Sequence, residues 1–176
     1  MSIRQAAIHA LNTSRNALNL VLEEFKTDDD WFTQPCPNSN HAIWIVGHLG
    51  LADNRFASRF RPDVDQIPEG WEELFWFGSE INPDRAAYPS KDDVLAYFHE
   101  RRETLLKVIE ECSDEELNAA APPAGERGPI SGAPNVGQLF LFGSFHEGIH
   151  MGQLTVAHRS LGREPVMKPQ PAESNS

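Results

Sequence analysis

The sequence predicts an all-α protein: a single four-helix bundle with a long crossover connection between helices 2 and 3. Three observations carry that reading. Apolar residues recur every three or four positions through four long stretches, which gives each stretch one face to bury as a helix. No stretch alternates as a half-buried strand would, and no internal repeat is present. The prolines fall between the periodic stretches, where a helix cannot continue. At 176 residues the chain can bury a real core without disulfides or a structural metal. Residues 1–162 are read as one domain and residues 163–176 as a Pro-rich, mobile C-terminal tail.

The first helix is expected over residues 2–26, with Ile3, Ala7, Leu11, Leu18, Val21, Leu22 and Phe25 on its buried face and Asp28-Asp29-Asp30 ending it. His9 lies among Ala6, Ala10 and Thr13 with no second ligand near it, and reads as a surface or core-edge residue. Pro35 and Pro37 make residues 31–40 a loop, after which Asn38, Ser39 and Asn40 offer N-caps for a second helix over residues 41–60. Its inner face carries Trp44, Ile45, His48, Leu49, Ala52 and Phe56. His41 is expected in the wet first turn, whereas His48 has a turn of apolar residues on either side and needs a partner.

Pro62, Pro68, Pro83 and Pro89 break residues 61–89, yet Trp71, Leu74, Phe75, Trp76 and Phe77 make this stretch too apolar for a linker. It reads as the crossover, with a short helix near residues 69–75 packed over one end of the bundle, either as a pocket wall, as part of a subunit interface or as a cap on the core. Ser90, with Asp93 three residues on, opens a third helix to about Glu111 through Val94, Tyr97, Phe98, Arg101, Leu105, Val108 and Ile109. The charges over residues 99–111 read as a solvated face, with His99 in solvent. A further capped turn follows at Ser113–Leu117, and residues 118–134, rich in Ala, Pro and Gly, read as a loop. The fourth helix runs from an Asn135 N-cap to Gly162 as the left-handed terminator.

Composition excludes several functions. Asp and Glu number 26 against 15 Lys and Arg, a formal charge of -11. Phosphate binding needs a basic footprint, so neither nucleic acid nor an anionic membrane surface suits this chain. No stretch is long and apolar enough to span a bilayer, and the N-terminus lacks the apolar core of a signal peptide. Cys36 and Cys112 stand at unrelated positions, which fits incidental or structural thiols in the reducing cytoplasm rather than a disulfide framework.

The chemistry is concentrated in the fourth helix. His146 and His150 are four residues apart, so their Cβ atoms are roughly 5–6 Å apart on one helix face and a single ion can bridge the imidazoles. That face continues through Leu139, Gly143, Gln153 and Ala157; the adjacent stripe of Phe142, Phe145, Ile149 and Val156 reads as the most apolar side. Gly143 is expected to leave space above the pair, and Gln153 to orient a ligand, to line a pocket or to bond between helices. His48 is the candidate third ligand, since three protein ligands from two helices leave a position open for water or substrate. The bland alternative is a set of core histidines satisfied by hydrogen bonds.

His146-Glu147-Gly148-Ile149-His150 also matches H-E-x-x-H, in which the glutamate would serve as general base of a metallopeptidase. A downstream third ligand would have to be His158, Glu164 or Glu173, and no edge strand is expected on which to lay a peptide. Trp44-Ile45-Val46-Gly47-His48-Leu49, taken with His146-Glu147 through His150 and on to Gly152-Gln153-Leu154, resembles the DinB/YfiT-like superfamily of metal-binding four-helix bundles over about residues 5–162. The resemblance implies a divalent ion, commonly zinc or nickel, on His48, His146 and His150, and a frequent dimer. It implies thiol-dependent S-transferase or isomerase chemistry on a small molecule with a low-molecular-weight thiol. Glu147 stands about 100° around the helix from His146, either reaching the site as a base or facing solvent. A non-catalytic bundle that binds a metal, a ligand or a partner is the other reading. Neutral imidazole is the ligand form, so metal loss is expected below about pH 6.

Overall fold

The computed structural model describes residues 1–121 and 133–166, and within them the chain forms seven α-helices and no strand. Four helices are long: α1 (Ile3–Leu22), α3 (Ala42–Ser58), α5 (Lys91–Glu111) and α7 (Val136–Ser160). Three are short: α2 (Asp28–Trp31), α4 (Trp71–Phe75) and α6 (Asp114–Asn118). Most of the loop expected over residues 118–134, and all of the expected tail beyond Val166, lie outside the described residues. An isolated antiparallel bridge joins Ala120 to Asn135 at the entry to α7. No helix among the described residues is long and apolar enough to cross a membrane.

Side-chain caps set the boundaries. Ser2 and Gln5 cap α1 reciprocally, and Ser113 and Glu116 do the same for α6. Ser90 accepts from the Asp93 amide at the start of α5, and Asn135 from the Gln138 amide at the start of α7. Past the end of α7, Gly162 takes φ +77°, a conformation that glycine adopts without a Cβ penalty. Two boundaries differ from expectation. The triple aspartate is not a simple stop, because Thr27 and Asp30 cap each other's backbone and turn it into α2. The cap of α3 is His41, whose Nδ1 accepts from the Trp44 amide. That ring is buried between Phe32 and Tyr88 rather than wet.

α1 lies along α7 and α3 along α5, while α3 meets α7 over a much shorter contact. The apolar interior is divided in two. One cluster holds Leu18, Val21, Ile43, Ile45, Val46, Phe75, Phe98 and Leu154; the other holds Ala7, Leu11, Leu105, Val108, Ile109, Leu117, Val136 and Phe140. Each buried Val, Leu, Ile or Phe side chain among them contributes about 1.5–3 kcal/mol by leaving water.

Three expectations about faces are corrected. Arg102 is buried, not part of a solvated face, and Arg101, on the apolar stripe of the helix, is buried with it. Arg101 donates to the Val64 carbonyl and Gln66 Oε1, and Tyr97 donates to the Gln66 carbonyl, which ties the connection after α3 onto α5. Phe145, Ile149 and Val156 point outward, at 61%, 46% and 57% exposure, so this stripe faces solvent and not the core. The space expected beside Gly143 is filled by Leu11 and Phe56 from neighbouring helices.

Candidate metal centre

The three candidate ligands come together although they arise from helices that share little contact. Gly47 makes this geometry possible on α3. A Cβ there would stand 2.5 Å from the Phe75 ring, so only glycine lets α4 close against α3 at this level. The close approach delivers the Phe75 carbonyl to within 2.9 Å of His48 Nδ1. On α7, Gln153 lies one turn beyond His150, and its Oε1 is 2.9 Å from His150 Nδ1.

A carbonyl oxygen only accepts, so both Nδ1 atoms carry the proton and both Nε2 atoms present a lone pair. Those two Nε2 atoms lie 3.2 Å and 3.1 Å from His146 Nε2. All three ligand atoms fall within 4.8 Å of one another, the one such group of His, Cys or carboxylate residues among the described residues. Two nitrogens held by a tetrahedral ion at 2.0–2.1 Å stand roughly 3.3 Å apart, so the spacing fits a divalent cation. One proton shared among three converging nitrogens would satisfy only one pair; a cation satisfies all of them.

Burial keeps the site neutral. Desolvation, then the neighbouring His150 and His146 rings, push His48 down to about 3. Desolvation and His150 push His146 down to about 4, and burial lowers His150 as well. Neutral imidazole is the form that ligates metal. Around the cluster, the Trp76 ring lies 6.2 Å from His48, and Phe142 stacks near His146 at 6.3 Å and 10°.

Glu147 goes elsewhere. Its side chain has no exposure, and its oxygens accept from Ser14 Oγ, Arg15 Nε and both terminal nitrogens of Arg102. A metallopeptidase needs that carboxylate free beside the ion, and the described residues hold no strand to receive a peptide. His158 is buried against Phe25, outside the cluster, Glu164 is exposed, and Glu173 lies outside the described residues. His9 and His99 are exposed. Sequence reasoning missed Phe75, whose role runs through its backbone carbonyl and leaves no side-chain signal.

The model of the DinB superfamily matches residues 10–154, most of the chain and all three histidines. Among curated proteins no match is found.

Proposed function

The chain belongs to the DinB superfamily, and on that basis we propose that it is a divalent-metal-dependent enzyme. Its ion, zinc or nickel, is held by His48, His146 and His150, and its chemistry is thiol-dependent S-transfer or isomerisation of a small molecule. The observation that carries the reading is the convergence of three Nε2 atoms, two of them with the proton fixed on the far nitrogen. In the same reading the four long helices are the superfamily's four-helix bundle within residues 1–162, and residues 61–89 are its crossover.

An ion with an open position would lower the pKa of a low-molecular-weight thiol, making it nucleophilic near neutral pH. The protein's own part is to hold three neutral imidazoles in place, to orient two of them through Phe75 and Gln153, and to exclude water with Trp44 and Trp76. The rim suits an uncharged, apolar electrophile. Trp76 and Phe142 offer ring faces, and Arg55, which lies over Trp76, is already paired with Glu72 and Asp65.

The outward face of α7 supports a homodimer: Phe145, Ile149 and Val156 carry no charge, and Gly148 and Gly152 leave open space between them. Cys36 and Cys112 are free thiols, which supports a cytoplasmic setting. The test is turnover by the metal-loaded protein with a panel of thiols and apolar electrophiles. Activity abolished by His146→Ala is expected. Complete inactivity at full metal occupancy would favour a non-catalytic binding protein instead.

A further inference from the structure

Between the two apolar clusters lies a layer of four buried charges, one from each long helix: Arg15 of α1, Asp53 of α3, Arg102 of α5 and Glu147 of α7. In every one of these helices the charged residue stands between members of the two clusters: Leu11 and Leu18 around Arg15, Leu51 and Ala57 around Asp53, Phe98 and Leu105 around Arg102, Phe140 and Leu154 around Glu147. Arg15 donates to Glu147 at 2.6 Å and to Asp53 at 2.9 Å. Arg102 donates to both oxygens of Asp53, at 2.9 Å and 3.1 Å, and to Glu147 at 3.2 Å. Further bonds to the Leu11 and Phe98 carbonyls hold the guanidinium groups, and Arg15 lies 3.4 Å over the Phe98 ring.

The two acids belong to the two helices that carry the histidines. Glu147 follows His146 directly, and Asp53 is five residues beyond His48, about 7.5 Å along the helix. Direct packing between α3 and α7 is slight compared with α1 on α7 or α3 on α5, so it supplies little to fix their mutual register. The same two arginines grip both acids. A one-residue slip of α7 would move its imidazoles by about 1.5 Å, far beyond the tolerance of roughly 0.2 Å in a metal–nitrogen bond. Stability alone is a poor explanation, because desolvating four charges offsets most of their attraction, and register is the best-attested use of buried ionic groups.

We propose that Arg15, Asp53, Arg102 and Glu147 form a register clamp that aligns α3 with α7 so that His48 meets His146 and His150. Glu147 is then a positioning residue, and the second letter of the H-E-x-x-H match serves helix alignment instead of proton transfer. The clamp's effect on metal affinity rests on the metal reading above; its effect on the imidazoles does not.

The test compares wild type with Glu147→Gln, Asp53→Asn, the double variant and Ile109→Ala, a destabilising control in the other core cluster. Zinc and nickel affinities are measured by chelator competition, and contacts between the His48 and His146 rings by nuclear Overhauser effects in metal-free protein. Each acid variant should bind metal about 10–100-fold more weakly and lose the ring contacts. The double variant should be little worse than either single change, because the two acids act as one unit. Ile109→Ala should lower thermal stability and keep both affinity and contacts. Folded Glu147→Gln protein with wild-type affinity and wild-type ring contacts would overturn the clamp. If Glu147→Gln does not fold, Ser14→Ala removes one bond to the same carboxylate; a few-fold loss of affinity is expected there, and no change would overturn the proposal. If wild type binds neither metal, the metal reading fails, and the ring contacts alone decide on the clamp.

Discussion

Trp44 lies flat against His48, with ring centroids 4.8 Å apart and planes 9° from parallel. The indole is itself fixed, because its Nε1 donates to Ser79 Oγ at 2.8 Å and that hydroxyl donates to the Leu74 carbonyl. The connection after α3 therefore reaches the histidine cluster twice, through the Phe75 carbonyl and through this stack. Trp44→Ala should lose about 3–5 kcal/mol of stability in urea unfolding, and Ser79→Ala about 1 kcal/mol. A loss below about 1 kcal/mol for Trp44→Ala would show that the stack is not a structural wall of the site.

Gln153 is exposed, yet its Oε1 accepts from His150 Nδ1 and so fixes that ring in the tautomer whose Nε2 faces the other two histidines. Gln153→Ala frees His150 Nδ1 and should weaken zinc binding by about tenfold with little change in folding stability. Gln153→Glu keeps an acceptor and should bind at least as well as wild type. Equal affinity in all three proteins would remove Gln153 from the centre.

Burial sets the pH response of the metal-free protein. Desolvation first, then Arg85, pushes His41 down to about 4, beside His48 at about 3 and His146 at about 4. Unfolded histidine titrates near 6.5, so below that pH the unfolded chain binds more protons than the folded one. Stability present above about pH 6.5 is therefore lost as pH falls, with a slope of up to about 1.4 kcal/mol per pH unit for each of these rings, and the loss levels off only below about pH 3–4. Urea midpoints at pH 7.5, 5.5 and 4.5 should fall in that order; a flat series would contradict it. Because burial weakens proton competition, metal release should occur below the pH of about 6 expected from free histidine.

The outward stripe of α7 gives a separate prediction. Ile149→Glu places a charge in the middle of Phe145, Ile149 and Val156 without touching the core. It should convert a dimeric protein to a monomer in sedimentation velocity while leaving thermal stability nearly unchanged. A monomeric wild type would show that this face is not a subunit interface.

Much of this was legible in the residues. Asn135 and Gly162 mark the ends of α7, Ser113 marks α6, and the four-residue spacing of His146 and His150 marks the ligand face. What failed did so for identifiable reasons. α7 is apolar on several sides, so its stripe of Phe145, Ile149 and Val156 looked like the interior, when Leu139, Phe140 and Leu154 are the buried members. Arg102 looked solvated because nothing within α5 neutralises it; its partners are Asp53 on α3 and Glu147 on α7, and only the tertiary fold joins them. His41 looked wet because a first-turn position ignores the Phe32 and Tyr88 rings that close over it. The His48 environment depends on a backbone carbonyl from a short helix, which no side-chain pattern announces.

The most direct test of the centre is a crystal structure of the metal-loaded protein with anomalous scattering recorded at the metal edge. The expected result is one peak about 2.0–2.1 Å from Nε2 of His48, His146 and His150, with a further position open. A fully loaded crystal whose peak lies elsewhere, or touches only the two histidines of α7, would contradict it.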